Sequence, residues 1–200
     1  MGVKILYRRS LLILFFVLLM QNFSYGDTGF QGVLLSPEKS INVHRLIDQD
    51  GKTVQFPSVT GKFQLVFFGY TSCPDICPTT LHKIKNVMNS LKQREDIEFY
   101  FISIDSNRDN PKQIKEFLEF FHPDIKGLTG SIKDIKKVEN EFGILTRKFQ
   151  GKSAFAYKLE HSVFMYLLNK QGKLMLMYPG STTSMQLVSD LTTLLASKEM

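Results

Sequence analysis

The stretch FFGYTSCPDICPTTL, Phe67 to Leu81, holds both cysteines of the chain, Cys73 and Cys77, with three residues between them and a proline after each. It opens as the end of an apolar run, Phe63 and Leu65 to Phe68, the pattern of a strand buried on both faces. It closes as a helix, because Leu81, Ile84, Val87, Met88 and Leu91 recur at helical spacing beyond Pro78. A second greasy strand, Ile97 to Asp105, follows. Strand, helix and strand in this length make a βαβ unit with a parallel pair, which fixes the fold class as α/β. The cysteines therefore fall at the carboxyl edge of a sheet and at a helix start. Free backbone N–H groups and the helix dipole there favour thiolate over thiol. Spacing of i, i+4 puts both sulfurs on one face if the turn is helical, and Pro74 and Pro78 stiffen the loop by fixing φ.

Outward from this unit the pattern stays that of one domain. On the amino side, INVHRLIDQDGKTVQF alternates and turns at Asp50-Gly51, a hairpin signal. Residues 27–40 read as a loose tether, and the folded domain as 41–200. On the carboxyl side, Asn110 caps a helix opened by Pro111, with Gln113 placed for a capping box and Ile114, Phe117, Leu118 and Phe121 as its apolar face. Ile132, Ile135, Val138 and Phe142 mark another helix, stopped at Gly143. HSVFMYLLNKQGKLMLMYPG reads as two strands joined by a turn at Lys170 to Gly172, and a last helix is expected to face inward with Met185, Val188, Leu191 and Leu195. Such sheets, with helices on both sides, place ligands at the carboxyl ends of parallel strands.

The chain has 200 residues and a formal charge of +6, enough length for one domain with an ample core. Lys4, Arg8 and Arg9 belong to the start, MGVKILYRRSLLILFFVLLMQNFSYGD; without them 22 basic side chains face 19 acidic ones. No Lys/Arg tract is interleaved with aromatics, so no nucleic-acid partner is expected. At that start, Arg8 and Arg9 precede ten apolar residues, Leu11 to Met20, followed by small and polar ones. Residues 1–26 are thus expected to be a cleaved secretory signal, with Ser24 and Gly26 at the −3 and −1 positions, or else an uncleaved membrane anchor. Either places the domain outside the cytosol, in the periplasm or at the inner membrane, where a cysteine pair tends toward a disulfide unless kept reduced or metallated.

Two thiolates select Cu(I), zinc or an iron–sulfur cluster. A cluster wants four Cys or a Cys/His mix, and structural zinc usually four ligands, whereas copper is content with two or three. Four histidines could add an imidazole. His44 belongs to the hairpin, His82 points away from Cys77 on its helix, and His122 ends a surface helix. His161 enters a late apolar strand after a long polar loop, and spacing alone leaves it as either a structural or a ligating residue. Asp75 and Asp105 lie at the same edge, as carboxylates better suited to orienting His161 or setting local charge than to binding Cu(I). Asp109 reads as helix-start electrostatics, and Met175 and Met177 as core filling.

FFGYTSCPDICPTTL, ISIDSNRDNP and EHSVFMYLLNKQGK together resemble, in that order, the Sco/SenC family of copper-binding, thioredoxin-like proteins. The resemblance runs from about Ile41 to the last helix. It implies a thioredoxin-like fold, a central mixed sheet flanked by helices with an N-terminal β-hairpin. It also implies copper, Cu(I) or Cu(II), held by Cys73, Cys77 and His161. The implied work is copper delivery to the binuclear copper centre of cytochrome c oxidase subunit II, with an upstream copper donor, a thiol reductant and a membrane tether as further partners. Ser72 stands where the family commonly has histidine, Ser106 where it often has proline, and Asn169-Lys170 where it often has Asp-Pro. Three readings remain: a copper metallochaperone, a thiol–disulfide reductase on the same or other extracytoplasmic thiols, and a copper or redox sensor. The reductase needs both cysteines and has no use for His161.

Overall fold

The computed structural model describes residues 29–92, 94–151 and 156–196. The expected signal or anchor at 1–26 lies outside them. From the amino end the strands are β1 (Val33–Lys39), β2 (His44–Asp48), β3 (Thr53–Phe56), β4 (Phe63–Gly69), β5 (Ile97–Ser103), β6 (Ile125–Thr129), β7 (Thr146–Gln150), β8 (Tyr157–His161), β9 (Phe164–Leu168) and β10 (Leu174–Pro179). The helices are α1 (Ile76–Ser90), α2 (Pro111–Glu119), α3 (Ile132–Phe142) and α4 (Ser184–Ala196).

Eight strands form one sheet in the order β1-β10-β9-β4-β5-β6-β2-β3. β4, β5 and β6 run parallel and every other pairing is antiparallel. β4 sits at the centre and is buried along its whole length, as its unbroken apolar run requires. Alternation along the strands sorts the aromatics. Phe67 and Phe101 lie with Phe117 of α2 on one face, while Phe68 and Tyr166 pack on Phe142 of α3 on the other. The sheet is therefore mixed and covered by helices on both faces, the expected thioredoxin-like arrangement. α1 and α4 pack against each other.

Local sequence accounts for most element ends. Asn110 accepts from Gln113 N at 2.9 Å while Gln113 returns a bond to Asn110 N, so the capping box closes ahead of α2. Gly143 ends α3 at φ +69°, a left-handed conformation that a side chain would strain. Asn169 Oδ1 accepts from Gln171 N and Lys173 N, holding the β9–β10 turn with an Asx turn in place of the family's Asp-Pro.

Four expectations need correction. Residues 33–39 are an edge strand, and the folded unit begins at Gln31. The strand escaped notice because it is largely exposed and needs only backbone pairing to β10. It is secured by buried Asp190 of α4, whose carboxylate accepts from Gln31 N at 2.9 Å and Gly32 N at 3.1 Å. The inward face of α4 is accordingly Leu187, Asp190, Leu191 and Leu195, while Met185 is 81% exposed. Ile132 on α3 is exposed as well. Last, the polar loop ahead of His161 contains a two-stranded sheet of its own, β7 with β8.

Candidate metal centre

β4 ends at Gly69, and the chain turns back over the start of α1. Cys73 N donates to Tyr70 O at 3.2 Å, Asp75 stands at the helix N-cap, and Cys77 falls in the first helical turn. The helix thus starts two residues before Pro78, which fits there because a first-turn N–H has no helical acceptor to lose. The sulfurs meet because the Cys73 loop folds across the helix start, not by a shared helical face. Gly69 makes room for them: a Cβ there would lie 2.9 Å from Cys77 Sγ and 2.9 Å from Phe101 Cε2.

The helix start treats the two thiols oppositely. Both are reduced and buried, Cys77 fully and Cys73 with 7% exposure, so Cys73 is the one solvent reaches. Cys73 receives the Cys77 S–H and the backbone N–H groups of Cys77 and Asp75, which outweigh burial and bring its pKa down to about 5. Cys77 gives up its proton only far above neutrality, because that proton is held by Cys73 and because the sulfur is desolvated. The pair is one thiolate and one thiol sharing a hydrogen bond.

His161 is the last residue of β8 and faces this pair. Its Nε2 lies 3.8 Å from Cys77 Sγ. Nδ1 is 3.0 Å from Ser162 O, a carbonyl that can only accept, so Nδ1 carries a hydrogen and Nε2 is the ring nitrogen that faces the sulfurs. Phe67 and Tyr70 bound the ring, with centroids at 6.4 and 6.3 Å. Tyr70, Cys73, Pro74, Asp75, Lys158 and His161 are among the residues lining a cavity of about 190 Å³ at this mouth.

The donor set fits a soft metal. With bond lengths typical of zinc sites, ~2.3 Å to sulfur and ~2.0 Å to imidazole, a trigonal angle of ~120° sets the two donors ~3.7 Å apart. The observed Cys77–His161 separation of 3.8 Å matches that span. Among the described residues no group of three or more His, Cys, Asp and Glu is placed to hold a metal ion as it stands. Cys73 must leave its hydrogen bond to become a third ligand.

The other histidines are elsewhere, as their spacing implied. His44 Nε2 stands 3.2 Å from Glu141, His82 packs edge-on against Phe121, and His122 Nδ1 accepts from Asp124 N. Met175 is core and Met177 half-buried. The two buried carboxylates behave differently from the sequence reading. Asp105 does not touch His161; it accepts from Arg108 Nε and from Tyr157 OH. Asp109 does more than favour a helix start. It accepts from Thr71 N at 2.8 Å, Thr71 Oγ1 at 2.6 Å and Ser103 Oγ at 2.6 Å, tying the cysteine loop to the end of β5. Burial pushes its pKa up.

A thioredoxin-like domain with a CxxxC dithiol and a distal imidazole at one sheet edge defines a narrow class of protein. Residues 35–196 match the SCO1/SenC family, and the chain belongs to it. It is 42% identical over 130 residues to a SCO2-like protein of Rickettsia conorii, covering 64% of this chain and 63% of that one, just under two thirds of the relative's length. Bradyrhizobium japonicum ScoI, solved with copper bound, superposes with a TM-score of 0.70 at 34% identity, over 76% of this chain and 97% of that one. BsSco, described as having a disulfide switch and as a member of the Sco family of cytochrome c oxidase assembly proteins, superposes with a TM-score of 0.64 at 27% identity, over 81% and 95% of the two chains.

Proposed function

We propose that this domain carries one copper ion on Cys73, Cys77 and His161 and passes it to the binuclear copper centre of cytochrome c oxidase subunit II during assembly. The observation that carries the reading is the 3.8 Å approach of the imidazole Nε2 to a buried cysteine sulfur, beside a second cysteine whose pKa is lowered. A redox dithiol has no need of that ring. Relatives solved with copper bound support the choice of metal. Release works by ligand exchange: an incoming thiolate takes a position on the metal as Cys73, the reachable sulfur, leaves. Three ligands leave an open position for the attack. The leader's reading as a secretory signal or anchor is part of the same proposal, setting domain and recipient outside the cytosol.

A thiol–disulfide reductase is the second reading, favoured by the low pKa of Cys73 and by the disulfide switch of BsSco. Cys73 thiolate would attack a partner disulfide and expel one partner thiolate. Cys77 would then attack the Cys73 sulfur and release the second, leaving the domain oxidised until an external thiol reductant restores it. Anaerobic Cu(I) and Cu(II) titration separates the readings. The carrier reading expects one tight equivalent, lost in Cys73→Ser, with Cu(II) binding weakened in His161→Ala. If His161→Ala binds copper as the wild type does and both reduce a partner disulfide equally fast, the reductase is the better account.

A further inference from the structure

Among the described residues β8 pairs only with β7, so His161 lies outside the hydrogen-bond ladder of the main sheet. Its backbone is placed by the β7 pairing and by its continuation into β9 at Phe164, and side chains reaching across from the sheet edge add the contacts that hold β8 against the cysteine loop. Tyr70 OH donates to Leu159 O at 3.1 Å, Arg108 Nη1 donates to Tyr157 O at 2.9 Å, and Tyr157 OH donates to Asp105. Tyr157, Leu159 and His161 alternate on one face of β8, so holding the first two along the strand sets where the third arrives.

Arg108 is the hub of these contacts. It sits between β5 and α2, with Nε on Asp105 and a side chain only 16% exposed. Its guanidinium carbon is 3.7 Å from the Tyr157 ring centroid and 5.6 Å from that of Tyr70. Tyr157 of β8 and Tyr70, which bonds β8 from the cysteine loop, thus both lie against it. A buried ion pair is a weak source of stability on its own and is better explained by what it specifies. The contacts also use what lysine lacks: a flat cation that lies on a ring while its fork serves a carboxylate and a carbonyl together.

Resting on the copper-site reading above, we propose that Arg108 is a positioning residue for His161, holding the imidazole at the distance from Cys77 that a shared metal requires. Arg108→Lys tests it, keeping the charge and losing the fork. Circular dichroism and one-equivalent Cu(I) binding through the thiols stay as in wild type. Cu(II) affinity falls about 10- to 100-fold, the usual cost of losing a group that orients a ligand. Nitrogen hyperfine coupling in the Cu(II) electron paramagnetic resonance spectrum weakens with it. The double variant Arg108→Lys/His161→Ala binds Cu(II) no more weakly than His161→Ala.

A metal-free readout separates this claim from the copper reading. In the wild-type apo-protein the His161 ring gives one set of NMR signals; in Arg108→Lys they broaden or double. Copper binding indifferent to His161→Ala would sink the ligand assignment, while the apo ring spectrum still decides the positioning claim. An unchanged ring spectrum with unchanged Cu(II) affinity overturns it, as does a further loss in the double variant. Should Arg108→Lys fail to fold, Tyr70→Phe removes the hydroxyl that bonds Leu159 O and also meets Cys73, and is expected to disturb the same ring signals; an undisturbed ring there counts against the proposal.

Discussion

Copper binding by this pair of thiols should release one proton at neutral pH, where two free cysteines would release nearly two. The count follows from the shared hydrogen bond. Cys73 is brought down to about 5 by the Cys77 thiol and the helix-start N–H groups, so at pH 7 it is mostly thiolate. Cys77 is pushed up by the same bond and by burial, so it still holds its proton. The pair loses its first proton near pH 5 and its second far above neutrality, as coupled groups do. A metal that takes both sulfurs must then displace the Cys77 proton alone. Apparent Cu(I) affinity should rise about tenfold per pH unit from roughly pH 6 to 8, and about a hundredfold per unit below roughly pH 5, where both thiols are protonated. Calorimetric Cu(I) titration at pH 7 in buffers of different ionisation enthalpy gives the count. The wild type is the protein to use, with His161→Ala beside it to show any imidazole contribution, because the histidine is also one of the groups that lower Cys73. Two protons released at pH 7 would mean that Cys73 is not a thiolate, and the proposed asymmetry of the site would be wrong.

The same asymmetry predicts that iodoacetamide modifies Cys73 with a pH midpoint near 5 while Cys77 is spared, as mapped by mass spectrometry; a midpoint near that of a free thiol refutes it. Gly69→Ala places a methyl 2.9 Å from Cys77 Sγ and from Phe101, so sulfur and ring must each retreat by about half an ångström to reach ordinary contact. The expected cost is about 1–3 kcal/mol in urea denaturation together with an altered Cys73 pH profile, and a neutral outcome in both would show the packing to be slack. Asp109→Ala strips Thr71 N, Thr71 Oγ1 and Ser103 Oγ of their acceptor and should cost about 3 kcal/mol, measured the same way; a loss below about 0.5 kcal/mol contradicts its role as the tie. Asp190→Ala should speed amide exchange at Gln31 and Gly32 without changing Cu(I) stoichiometry, and exchange as slow as in wild type would show that the edge strand is held by something else.

What the sequence disclosed and what it hid divide along one physical line. β4, the β2–β3 hairpin, the capping box at Asn110 and the stop at Gly143 are each written within a dozen residues, because periodicity and capping are local rules. So was the location of the cysteines at a sheet edge and helix start. The features that escaped are polar groups buried by partners far along the chain. Asp190 sits on the inner face of α4 because it binds Gln31 and Gly32, 159 and 158 residues away. Apolar periodicity has no place for a carboxylate there and points Met185 inward instead. Asp109 looked like a helix-start charge because its partner Thr71 is 38 residues upstream. β8 looked like loop because its inward residues answer to Tyr70, Asp105 and Arg108.

This division bears on the site itself. The two sulfurs come from one short loop and can be placed by local rules, whereas the imidazole comes from 84 residues beyond Cys77. Its strand has no place in the main sheet, and the side-chain contacts that hold that strand against the cysteine loop are polar and distant in sequence. Spacing therefore left His161 undecided where it identified the cysteines at once, and a resemblance was needed to prefer it. The same geometry makes the histidine the adjustable member of the site. The thiols are fixed by a helix start and a closely packed glycine, so changes in the tyrosine–arginine contacts should alter Cu(II) affinity and leave the capacity for Cu(I) in place.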